Sequence, residues 1–80
     1  MDFSSFNSKS AKKWYKKGIS FKKQNKYKKS IKCLKKATEC YPLYPSTWYD
    51  LGGVYLKMGD NNSALDAMER VKKSILILRR

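Results

Sequence analysis

The chain has no histidine, and only six carboxylates among its 80 residues. Without imidazole, neither a Ser-His nor a Cys-His nucleophile can be assembled, and metal sites lose their commonest ligand. The two cysteines have neither histidine nor further thiols to complete a zinc site. Asp66 and Glu69 stand three apart, but Arg70, Lys72 and Lys73 surround them. They read as solvated surface acids rather than a catalytic pair. These absences argue against an enzyme, and neither a cofactor nor a metal is expected.

Other scarcities set the compartment and the size. No stretch approaches the roughly 18 consecutive apolar residues of a membrane span. The start, Met1 to Ser10, holds only Phe3 and Phe6 as large apolar residues and has no block resembling a signal peptide. It is expected to be a flexible arm. Cys33 and Cys40 fall on one predicted helix, about 10 Å apart along its axis. A disulfide needs alpha carbons within roughly 7 Å, so reduced thiols in a cytoplasmic setting are expected. Eighty residues are near the lower limit for a self-sufficient core, which points to a single domain over residues 11–80.

Lysine is what the chain has in abundance. Sixteen of its 19 basic residues are Lys, and the net charge is +13. The excess is one-sided: residues 11–44 carry twelve Lys against Glu39 alone. In residues 45–78, Lys57, Arg70, Lys72 and Lys73 cancel Asp50, Asp60, Asp66 and Glu69.

The second abundance is internal similarity. Trp14-Tyr15-x-x-Gly18-x-x-Phe21 returns 34 residues later as Trp48-Tyr49-x-Leu51-Gly52-x-x-Tyr55. In the same register Ser30 aligns with Ala64, Ile31 with Leu65, Leu34 with Met68 and Ala37 with Val71. A self-match at a fixed period is the signature of a stacked repeat. Residues 11–44 and 45–78 are the two copies.

Four helices follow from the apolar spacing. The first starts at Ser10 as N-cap and ends near Gln24, with Ala11, Trp14, Gly18 and Phe21 on one stripe. The second runs from Lys26 to Cys40, and Pro42 and Pro45 bracket the connection. The third starts at Ser46 or Thr47 and ends at Lys57 or Met58, followed by Gly59, a residue suited to a left-handed C-cap. The fourth starts near Ser63, with a stripe of Ala64, Leu65, Met68, Val71, Ile75 and Leu78, widened by Leu76 and Ile77. Gly18 and Gly52 lie inside helices, where Gly costs about 1 kcal/mol against Ala. A close helix crossing explains them.

Period and residues together resemble the tetratricopeptide repeat family, whose signature is W-x2-L-G-x2-Y followed by small, apolar and small residues and a closing Pro. The second copy supplies Trp48, Leu51, Gly52, Tyr55, Ala64, Met68 and Val71 but lacks the Pro. The first supplies Trp14, Gly18, Phe21, Tyr27, Leu34, Ala37 and Pro42, with Lys17 at the usual Leu. It also carries Asn25-Lys26 where a Gly-acid turn is usual. The resemblance implies an all-α fold, a right-handed α-α superhelix of two helix-turn-helix hairpins. It also implies a protein-binding role, with the first helix of each hairpin lining an inner groove.

On the stripe opposite the core, that groove takes Lys12, Tyr15, Ile19, Lys22 and Lys23 from the first helix. The third helix offers Tyr49, Gly53, Leu56 and Lys57. Tyr supplies flat contact area and Lys supplies steering, which suits an acidic peptide with an apolar anchor. A related subgroup grips chaperone C-termini with Lys and Asn. Tyr15, Ile19 and Asp50 stand at those places here, which argues against such a clamp. Two hairpins also leave an apolar edge, so Val71, Ile75, Leu76 and Leu78 are expected to self-associate as a homodimer. The alternative is a piece of a longer array. Nucleic acid is the alternative partner, on charge alone.

Overall fold

The structure is a computed structural model. It describes residues 8–42 and 44–78, the first and last of these by backbone alone. Four helices follow one another: α1 (Ser8–Lys23), α2 (Tyr27–Cys40), α3 (Pro45–Lys57) and α4 (Asn61–Leu78). α1 packs on α2 and α3 on α4 as two hairpins, α2 joins the hairpins through α3, and α1 touches α3 along a narrow seam. The fold is the expected all-α pair of hairpins. α1 begins two residues before the expected Ser10 cap, and the rest of the expected arm, residues 1–7, lies outside the described residues.

Both hairpin turns use the same device despite different residues. After α3, Gly59 takes φ +81°. The Gly59 and Asp60 amides then donate to the Leu56 and Tyr55 carbonyls. After α1, Asn25 takes φ 61°, and the Asn25 and Lys26 amides donate to Lys22 and Phe21. Each is a Schellman closure, in which a left-handed residue lets its own amide and the following one satisfy orphan carbonyls. Asn is the side chain most tolerant of that conformation, which is why a turn without Gly still works. Asp60 then caps α4 by accepting from the Ser63 amide at 3.2 Å. Hydrogen bonds from the Ser63 side chain and backbone hold its carboxyl below the ordinary value. Pro45 opens α3 at the first turn, where its missing N–H costs nothing.

Leu34, Leu51 and Val54 form the centre of the core, at 0%, 2% and 0% exposure. Leu34 of α2 reaches both α1 and α3. A β-carbon on Gly18 would lie 2.7 Å from Leu34 Cγ, which is the close crossing that the glycine implied. Ser30 seals it by donating its buried hydroxyl to the Gly18 carbonyl at 2.7 Å. The equivalent crossing at Gly52 is closed by Met68 Cε, also at 2.7 Å, with Ala67 and Ala64 behind it. The Pro42 carbonyl ties the connection to the second hairpin, accepting from Trp48 Nε1 at 2.8 Å and Ser74 Oγ at 3.3 Å.

That last contact corrects the fourth stripe. Leu65 is 66% exposed, whereas Ser74 is buried at 4%. A 3.6-residue period running through Ala64, Ala67 and Val71 reaches Ser74, and Leu65 lies about 100° from Ala64 on the wheel. The serine is tolerated inside because Pro42 satisfies it. Cys33 is buried and Cys40 half-buried, and both are free thiols.

Candidate functional site

The seam between α1 and α3 is where polar chemistry gathers. The Tyr15 hydroxyl donates to the Asp50 carboxylate across 35 residues of sequence. Asp50 Oδ1 also lies 3.6 Å from Lys22 Nζ. Partial burial, together with the hydrogen bond and charge of Asp50, pushes the Tyr15 hydroxyl up to about 12. It therefore keeps its proton at neutral pH and remains a donor. The Lys22 pair is partly open to solvent, so it adds little stability. Its consequence is local: one of the expected groove cations is already matched.

Two hollows flank Tyr15. One, of about 200 Å³, is lined by Lys12, Tyr15, Tyr44, Ser46 and Thr47. The other, of about 360 Å³, is lined by Tyr15, Lys16, Ile19, Ser20 and Lys23. The α1 residues expected in the groove thus converge on Tyr15, with Lys22 turned to Asp50.

On α3, Tyr49, Gly53, Leu56 and Lys57 recur at intervals of four, three and one, which places them on one helical face. Tyr49, Leu56 and Lys57 are exposed, and nothing lies within 4 Å of a β-carbon built on Gly53. Gly53 is the copy of Ile19, so the surface is dented where the first hairpin is filled.

Asp50, Tyr44 and Thr47 complete the site without having been expected there. The signal for Asp50 lay in the period itself. Tyr15 and Asp50 are 35 residues apart, one more than the repeat, so stacking brings them side by side.

The α4 residues expected to self-associate divide. Val71 is half-buried, while Ile75, Leu76 and Ile77 are exposed, Leu76 at 63%. The Leu78 side chain lies outside the described residues. Among the described residues no three His, Cys, Asp or Glu side chains gather into a metal-holding group. No described helix is long and apolar enough to cross a membrane.

Comparison with known proteins agrees with the geometry. The family model described as TPR repeat matches residues 18–59, and one described as Tetratricopeptide repeat matches residues 45–74. Among curated proteins no match is found. The first match spans more than half of the chain and crosses the junction between hairpins, and the second covers α3 and most of α4. The chain belongs to the tetratricopeptide repeat family, whose repeats are generally non-catalytic protein–protein interaction modules.

Proposed function

We propose that this protein is a non-enzymatic adaptor whose α1/α3 face binds an acidic segment of a partner protein. One observation carries the reading. Tyr49 is the 34-residue copy of Tyr15, and Tyr15 donates its hydroxyl to a carboxylate, Asp50, supplied by the next hairpin. Tyr49 has the same place on α3 but is 61% exposed. A partner's Asp or Glu would repeat at Tyr49 what Asp50 does at Tyr15. Lys57 lies on the same face to draw the acid in, and Leu56 and the dent at Gly53 accept an apolar anchor.

A screen of acidic peptides, each with one apolar anchor, tests this by fluorescence anisotropy. Saturable binding is expected, weakened about tenfold, roughly 1.4 kcal/mol, by Tyr49→Ala. Unchanged affinity in Tyr49→Ala would remove the groove from the argument. RNA binding that persists at physiological salt, with no peptide bound, would turn the reading to nucleic acid.

The same adaptor self-associates through α4 in this reading. Exposed Ile75, Leu76 and Ile77 form a run of large apolar side chains on one helix end, and such patches mark contact surfaces. Sedimentation is expected to show a dimer that Ile75→Lys dissociates. A strict monomer at micromolar concentration sinks the dimer.

A further inference from the structure

The repeat supplies a template for a second surface. In the second hairpin, Trp48, Tyr55, Asp66 and Ala67 line a cavity of about 420 Å³. Its far wall is α2, through Lys35, Thr38 and Glu39. In the first hairpin the copies are Trp14, Phe21, Lys32 and Cys33, which line an apolar groove of about 270 Å³ with Lys29 and Lys36. Here only α1 and α2 contribute, and no third described helix forms a far wall. The groove therefore has the shape of a helix-receiving surface on which no described helix is seated.

Its charge differs from the template in a consistent direction. Lys29 replaces Ser63 and Lys32 replaces Asp66. The ammonium groups of Lys17 and Lys36 lie 5.2 and 5.1 Å from the Trp14 ring centre, and Lys29 lies 5.8 Å from that of Phe21. These are cation–π distances, so the aromatic floor is held under a cationic rim.

We propose that this groove docks an acidic amphipathic helix of a partner protein. The helix follows from the template, since the equivalent surface one repeat later receives α2. An apolar stripe is required by Trp14, Phe21 and Cys33, and acidic flanks by the four lysines. A second copy of this chain fits poorly. By the period, its α4 would bring Lys72 and Lys73 where α2 brings Thr38 and Glu39, against Lys29, Lys32 and Lys36. Nucleic acid also fits less well. The Trp14 and Phe21 rings are half-buried under ammonium groups and offer no open platform for stacked bases.

Nitrogen-15 NMR of the intact chain tests the proposal. The probe is a synthetic amphipathic helix with leucines on one face and glutamates elsewhere. A scrambled peptide of the same composition is the control. Saturable shifts are expected at the Trp14 indole N–H and the Phe21 and Cys33 amides, with Tyr49 and Leu56 unmoved. The exposed pair Lys29→Glu with Lys32→Glu should raise the Kd at least tenfold, and the corresponding Gln pair by less. Equal shifts from the scrambled peptide overturn it. So do shifts confined to Tyr49 and Leu56, which would support the α1/α3 reading instead. An oligonucleotide that saturates the same signals at physiological salt, where the peptide does not, assigns the groove to nucleic acid and also overturns it.

Discussion

Leu34→Ala is expected to lower the unfolding free energy by about 2–5 kcal/mol, the cost of a cavity at a buried leucine. A domain of this length has roughly 4–12 kcal/mol in total. This single change therefore removes a large share of it, and could unfold the chain at physiological temperature. The reason is position rather than size alone. Leu34 is fully buried, fills the notch at Gly18 and packs with Leu51 and Val54, so it joins the two hairpins as well as the two helices of the first. Urea unfolding followed by circular dichroism measures it. Leu65→Ala is the matched control, because Leu65 is exposed and should change stability by no more than about 0.5 kcal/mol. Similar losses in the two variants would mean that Leu34 is not the hinge of the core.

Gly18→Ala should be the most harmful of three glycine replacements, at a net cost of up to about 2 kcal/mol. Alanine gains about 1 kcal/mol of helix propensity at each site. At Gly18 that gain is outweighed, because the new methyl meets the branch point of a fully buried leucine, and overpacking costs about 1–3 kcal/mol. In Gly52→Ala the one overly close contact is the terminal methyl of Met68, a half-buried flexible chain that can swing aside. Ala67 and Ala64 stay at ordinary distances of 3.4 and 3.5 Å, so the change should be close to neutral. Gly53→Ala meets nothing within 4 Å and should raise stability by about 1 kcal/mol. Thermal or urea midpoints give the order directly. A Gly18→Ala protein as stable as Gly53→Ala would show that the crossing is looser than its 2.7 Å contact requires.

These two cases also show where sequence reading stops. That Gly18 and Gly52 mark close crossings followed from their place inside apolar helical stripes. That the crossings differ in rigidity did not, because it depends on which side chain closes each one and how deeply it is buried. Likewise the groove residues on α1 could be chosen by helical face. Their grouping around Tyr15, and the diversion of Lys22 to Asp50, needed α3 to be laid beside α1. Hydrophobicity alone places Leu65 inward. The stacking geometry rotates it out and brings in Ser74, whose hydroxyl has the Pro42 carbonyl to satisfy it.

Features governed by short-range physics are legible in the chain directly. The 34-residue period specified two hairpins, and the turn residues placed their ends. Which copies of a repeated surface are covered depends on how the hairpins stack. Tyr15 meets Asp50 while Tyr49 faces water, and the Trp48 surface meets α2 while the Trp14 surface meets no third described helix. A repeat gives each unit the same spacing of helices and turns. Burial in a stack depends on neighbours, and among the described residues each hairpin has one on a single side, so equivalent positions acquire unequal environments.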